Sequence, residues 1–197
     1  MRIVVSGCFA AVLGLLVSGC GSDNKSGASC SSVTACGGDI VGTWQIDHVC
    51  LPPPAVSAPS SCPTATISVS GLDGSGTFVF GADGSLQNTL SVTFTETVTF
   101  PPSCISEAQC ASAMTQLGMT TGVTSATCSY AAGSGCSCVA KLKVDDSSSG
   151  SYKVSGSNVT FSSPGSADSP GSYCVVGTKL NVQSTQDGQT ATFSASR

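Results

Sequence analysis

Thr89-Leu90-Ser91-Val92-Thr93-Phe94-Thr95-Glu96-Thr97-Val98-Thr99-Phe100 decides the fold class. Every odd position is Ser or Thr, and every even position is apolar except Glu96. A helix would scatter these residues around its circumference, whereas a strand sorts them onto two clean faces. The stretch therefore reads as a half-buried antiparallel strand. The alternation returns downstream: Cys138, Ala140, Leu142 and Val144 share a face opposite Lys141 and Lys143. Tyr152 with Val154, Val159 with Phe161, Leu180 with Val182, and Ala191 with Phe193 and Ala195 continue it, and Thr66–Ser70 and Thr77–Phe80 precede it. Asp73-Gly74, Asp83-Gly84, Ser155-Gly156-Ser157-Asn158 and Asp187-Gly188 fall between these runs and supply the positive φ of tight hairpins. The spacing predicts roughly nine or ten short strands in an all-β barrel or sandwich, not a parallel sheet.

One segment departs from the alternation. Ser106-Glu107-Ala108-Gln109 has the form of a capping box, Cys110, Met114 and Leu117 recur at helical spacing, and Gly118 offers a stop. Residues 104–117 are thus the one expected helix, closing an end of the sheet and pinned through Cys104 and Cys110. Leu51–Pro63 must be a loop, since Pro52, Pro53 and Pro54 forbid ladder pairing. Gly71-Leu72-Asp73-Gly74-Ser75-Gly76 has only a superficial likeness to a phosphate or calcium loop. No helix follows it and carboxylates are too few for a cage, so it reads as a hairpin turn.

Composition removes whole classes of function. The 197 residues include 7 Lys and Arg, 11 Asp and Glu and a single His, with a net charge of -4 and only 9% charged residues. That is no nucleic-acid surface. General acid–base chemistry has little to draw on beyond His48, Glu96 and Glu107. A serine nucleophile would need His48 as its base, yet Asp47 cannot orient it from the neighbouring strand position. No serine lies in a G-x-S-x-G elbow, and the chain is expected not to be an enzyme.

Met1-Arg2, the apolar run Ile3–Val17 and the small residues before Cys20 form a secretion signal. About fifteen apolar residues are too few for a permanent bilayer span. Leu16-Val17-Ser18-Gly19-Cys20 resembles a bacterial lipobox, which implies cleavage before Cys20 and acylation of that cysteine. Several acyl chains give a lasting anchor where one does not. Asp after the lipidated cysteine retains enteric lipoproteins at the inner membrane; Gly21 stands there, which implies the outer membrane, its periplasmic or outward side left open. Residues 20–35 then read as a flexible Ser/Gly tether and residues 36–197 as the domain.

Ten cysteines besides Cys20 survive processing: Cys30, Cys36, Cys50, Cys62, Cys104, Cys110, Cys128, Cys136, Cys138 and Cys174. An exported chain keeps such thiols oxidised, and ten close five disulfides. Short-range pairs such as Cys50 with Cys62 or Cys104 with Cys110 are candidates, though spacing does not fix connectivity. Cys136-Ser137-Cys138 has the look of a chelating pair, but no second pair at zinc-ribbon spacing accompanies it, and neither metal nor cofactor is expected.

Gly42-Thr43-Trp44, preceded by Cys36-Gly37-Gly38-Asp39-Ile40-Val41, resembles the G-x-W start of lipocalin-like proteins. Gly76–Phe80 with Ala82-Asp83-Gly84, then Gly150–Gly156 and Tyr173–Leu180, are similar to the meander of cysteine-rich, lipocalin-like lipoproteins of myxobacteria. The resemblance spans residues 36–197. It implies an up-and-down β-barrel of about eight to ten strands with the first-strand Trp packed across one end, and it implies no particular activity.

Two interior residues stand out chemically. Trp44, Ile46, His48 and Cys50 alternate onto one face, which places His48 inward beside the Trp as a hydrogen-bonded core residue or a pocket residue. Glu96 on an apolar face must be paired, protonated, turned outward by a bulge or exposed at a strand end. Trp44, His48 and Glu96 are the candidate ligand contacts of a non-enzymatic, lipid-anchored binder of a small apolar ligand. The alternative is a surface or interaction module whose barrel is filled by its own side chains. Small residues such as Ala140, Ala191 and Ala195 among six phenylalanines fit either.

Overall fold

The computed structural model describes residues 30–52, 58–186 and 188–197. The signal segment, Cys20 and the first part of the expected tether lie outside the described residues, as do Pro53 and Pro54. Nine strands and one helix follow in the order β1 Gly42–Cys50, β2 Thr66–Phe80, β3 Ser85–Phe100, α1 Glu107–Gly118, β4 Val123–Ala131, β5 Gly135–Ser155, β6 Asn158–Ser162, β7 Ser169–Val176, β8 Lys179–Gln186 and β9 Gln189–Ser196. The strands form one sheet in the order β3-β2-β1-β9-β8-β7-β6-β5-β4, and β3 also pairs with β5. The first eight strands of that order therefore close into a ring, with β4 attached to β5. The β1–β2, β1–β9, β4–β5, β5–β6, β6–β7, β7–β8 and β8–β9 pairs are antiparallel, as the alternation predicts.

The strands are longer than expected. β2, β3 and β5 run for 15, 16 and 21 residues, so that Thr66–Ser70 and Thr77–Phe80 belong to one strand. The expected turn at Gly71–Gly76 does not exist: the segment is the middle of β2. Its glycines serve close approach instead of reversal. A Cβ on Gly76, at φ 149°, would lie 2.0 Å from the Thr89 carbonyl oxygen, and one on Gly74 would lie 2.7 Å from Val49 Cγ2. True reversals occur where β2 meets β3 through Gly84 at φ 83° and where β5 meets β6 through Gly156 at φ 63°.

The chain divides into two compact units, and β2, β3 and β5 each contribute to both. The first comprises the described residues up to Pro52 with Asp73–Ser91 and Asp145–Arg197. It holds β1, β6, β7, β8 and β9, and here β3 meets β5: the Tyr152 amide donates to the Gly84 carbonyl at 2.8 Å, and the Ser148 hydroxyl donates to the Asn88 side chain. Leu180, Val182 and Ser184 alternate inward on β8, and Ala191, Phe193 and Ala195 on β9. Burying each large apolar side chain contributes about 1.5–3 kcal/mol.

The second unit, the described residues from Ala58 to Leu72 with Val92–Val144, contains α1, β4 and the remaining parts of the long strands. The capping box forms as the sequence predicts: Gln109 N–H donates to Ser106 Oγ at 3.4 Å, and Ser106 N–H donates to Gln109 Oε1 at 2.8 Å. The last turn is closed not by a left-handed Gly118 but by Met119 N–H, which donates to the Gln116 carbonyl at 3.2 Å. Helix α1 packs on β4 and is bonded to β5 through Cys110.

All ten expected cysteines pair, giving five disulfides: Cys30–Cys50, Cys36–Cys174, Cys62–Cys104, Cys110–Cys136 and Cys128–Cys138. The short-range candidates are corrected. Cys50 bonds to Cys30 and not to Cys62, and Cys104 bonds to Cys62 and not to Cys110. Strand pairing decides this, because segments distant in sequence lie side by side: Cys36 and Cys174 are 138 residues apart, yet Gly37 bridges to Cys174 in the sheet. Residues 30–35, expected as the end of the tether, are held on the first unit by Cys30–Cys50 and by the Val33 amide, which donates to Gln183 Oε1 at 2.9 Å.

Candidate functional site

Within the first unit the inward face of the ring is densely aromatic. Trp44 is fully buried, and its indole N–H donates to the Ile40 carbonyl at 2.8 Å. The Arg197 guanidinium lies over the indole, 4.2 Å from the ring centroid, and donates to the carbonyls of Val41 at 3.1 Å and Asp39 at 3.2 Å. A chain segment held by Cys36–Cys174 and by the end of β9 thus covers Trp44. Phe78 meets Phe193 edge-on at 5.5 Å and lies 6.0 Å from Phe80, which meets Tyr152 edge-on at 5.0 Å.

The two tyrosine hydroxyls are used at the same end. Tyr152 donates to the Gly81 carbonyl at 2.8 Å and Tyr173 to the Gly38 carbonyl at 2.9 Å. Desolvation, assisted by the nearby Asp39 carboxylate, pushes both phenols above their usual range, so they remain neutral donors. Elsewhere some buried polar groups are paired and others are not. The hydroxyls of Ser169 and Ser184 are 2.7 Å apart and both residues are buried. Asp146, Gln186 and Gln189 each bury one side-chain oxygen that has no hydrogen-bond partner. This polar belt was not legible in advance, because isolated Ser, Asn and Gln in a Ser/Thr-rich sequence resemble surface residues.

The small residues nest against the large ones. Ala191 and Ala195 are completely buried beside Phe193 and Leu180. Two open depressions lie at the surface of the described residues. One, of about 370 Å³, is lined by Ser149–Ser151 and Ser162–Pro164, and the other, of about 340 Å³, by the Gly38–Val41 segment with Tyr152 and Tyr173.

The three candidate ligand contacts have different surroundings. Trp44 is interior, as expected. His48 is exposed, which corrects its expected inward position: the β1–β9 register shifts between Ile46 and His48, so Val49 takes the interior place. A bulge of this kind inserts one residue and reverses every later side chain, and alternation alone does not reveal it. Asp47 beside it pairs with Lys179 Nζ at 2.9 Å and accepts from the Ser196 hydroxyl at 2.9 Å. Those two hydrogen bonds hold its carboxyl below the ordinary range. Glu96 belongs to the second unit, half-buried on β3 among the half-buried Phe94, Val98 and Phe100, and burial raises its pKa.

In the second unit the sulfurs of Cys110, Cys136 and Cys138 lie within 4.8 Å of one another. Cys136 and Cys138, whose spacing has the look of a chelating pair, are each in a disulfide, with Cys110 and Cys128 respectively. No helix among the described residues is long and apolar enough to cross a membrane. No family model and no curated protein matches the chain.

Proposed function

We propose that this chain is a lipid-anchored module of the bacterial cell envelope, not an enzyme, that acts through its outer surface. In this reading the closed ring of the first unit is an up-and-down, lipocalin-like barrel filled by its own side chains. The observation that carries it is the edge-on packing of Phe78 on Phe193 and of Phe80 on Tyr152, with Trp44, Phe78 and Phe80 at most 2% exposed. Side chains so packed occupy the volume that an apolar ligand would need. The lipobox-like sequence ending in Cys20 and the Gly21 that follows support an outer-membrane anchor.

Native mass spectrometry of the exported, unlipidated Cys20→Ala chain tests the filled interior. The expected mass is that of the bare polypeptide less ten hydrogens, in accord with five disulfides. A co-purifying lipid mass refutes the filled interior in favour of a ligand carrier. Metabolic palmitate labelling tests the anchor separately: label on the parent chain and none on Cys20→Ala is expected, and an unlabelled parent refutes lipidation.

A further inference from the structure

Helix α1 is held to the second unit by Cys110–Cys136, and a second bridge, Cys128–Cys138, lies against it. Cys136 and Cys138 are two residues apart on β5, so their side chains share a face, and their sulfurs are 3.7 Å apart. Cys128 faces Cys138 directly across the β4–β5 ladder. The four cysteines differ in exposure. Cys110, Cys136 and Cys138 are at most 2% exposed, whereas Cys128 is only partly buried.

We propose that Cys128–Cys138 is the site at which an external dithiol attacks the second unit, and that Cys138, once released, breaks the bridge holding the helix. The dithiol's thiolate attacks the sulfur of Cys128, the most exposed of the four residues; a mixed disulfide forms there and the Cys128–Cys138 bond breaks with its electron pair on Cys138. The buried Cys138 thiolate then attacks Cys136 Sγ across the 3.7 Å contact, forming Cys136–Cys138 and expelling Cys110 as the leaving thiolate. Cys110 lies in the first turn of α1, so its release detaches the start of the helix from β5. The dithiol's second thiol closes on its own mixed disulfide and leaves with Cys128 restored as a thiol. The balance is one dithiol oxidised to a disulfide, its two hydrogens now on Cys128 and Cys110, and two protein bridges reduced to one. One two-electron reduction of a bond that includes no helix residue thereby frees the helix.

The full chain is treated with one equivalent of dithiothreitol, quenched in acid, alkylated and mapped by peptide mass. Alkyl groups on Cys128 and Cys110, with a Cys136–Cys138 link recovered, are the expected result. Alkylation of Cys128 and Cys138 with Cys110–Cys136 intact overturns the relay. Alkylation of Cys110 and Cys136 with Cys128–Cys138 intact overturns the point of attack. As a kinetic check, the Cys128→Ala/Cys138→Ala chain should lose Cys110–Cys136 about tenfold more slowly than the parent, because direct attack on two buried sulfurs remains the only route; equal rates overturn the proposal.

Discussion

Phe78→Ala tests whether the ring of the first unit is filled or hollow. Phe78 is 1% exposed and touches the rings of both Phe80 and Phe193. Truncation withdraws roughly 100 Å² of apolar surface from burial, worth about 2.5 kcal/mol at 25 cal/mol per Å². In a packed interior it also leaves a void of about 70 Å³, which costs a further ~1.7 kcal/mol at the rate measured for engineered cavities. The expected loss is therefore about 3–5 kcal/mol. The sole tryptophan, Trp44, lies buried in the same unit, so guanidinium unfolding followed by its fluorescence, with all bridges intact, reads this unit directly. The variant should also bind a small apolar probe such as benzene, which the parent should exclude. If Phe78 instead lines an existing pocket, its removal opens no new void. A loss below about 1.5 kcal/mol, with the parent binding the probe as well as the variant, would refute the filled interior.

Four further outcomes follow from the same structure. Glu96 is desolvated, so its folded-state pKa exceeds the unfolded one; its contribution is fully present at low pH and is lost as pH rises through the folded pKa. Denaturation midpoints measured against pH should show that decline in the parent and not in Glu96→Gln, which should be the more stable chain at neutral pH. Asp47 behaves oppositely: its lowered pKa stabilises the fold above the unfolded value and ceases to do so as pH falls through the folded one, a limb that Asp47→Asn should remove from the same titration. Replacing Cys36 and Cys174 by Ala opens a separation of 138 residues, worth about 5 kcal/mol in the chain-entropy limit, against about 3 kcal/mol for the 10-residue Cys128–Cys138 separation, an order that paired unfolding curves check. Ser106→Ala removes the helix cap at a cost of about 1 kcal/mol, visible as faster amide exchange in the first turn of α1 while the ring is unchanged.

What the sequence made legible was periodic. Thr89–Phe100 lies within one strand, the inward sets of β8 and β9 are Leu180 with Val182 and Ala191 with Phe193 and Ala195, and the capping box at Ser106 begins the helix. What stayed hidden depends on partners distant in the chain. A glycine that avoids the Thr89 carbonyl looks in sequence like a turn glycine, so Gly71–Gly76 reads as a reversal when it is the middle of β2. The bulge after Ile46 changes no residue type, so His48 keeps its interior period while its side chain is exposed. Likewise, the cysteine count gives the number of bridges, whereas the pairing follows from the sheet order, and that order places Cys174 on β7 beside the segment preceding β1.

The distribution of the bridges follows from the cores of the two units. In the first unit, paired strands close on themselves around Trp44, Phe78, Phe161, Tyr173 and Phe193, and its two bridges secure the segment before β1 to Cys50 and Cys174. Among the described residues of the second unit no aromatic side chain is fully buried. The buried cluster beneath its helix consists of Cys110, Cys136 and Cys138, surrounded by the partly buried Phe100, Ile105, Leu117 and Tyr130. The buried apolar residues of this unit other than cysteine, Ala65, Val92, Ala140 and Leu142, are few and none is aromatic, so its apolar core contributes less than that of the first unit against the entropy of ordering a helix and an edge strand. Three of the five bridges lie there, joining the helix to β5, β4 to β5, and the loop before β2 to the loop before the helix. The sulfur that would elsewhere be leucine or phenylalanine thus serves as both core and cross-link. This unit consequently depends on its bridges for order, and loss of Cys110–Cys136 should release α1 while the first unit, built on its own packing, keeps Trp44 buried.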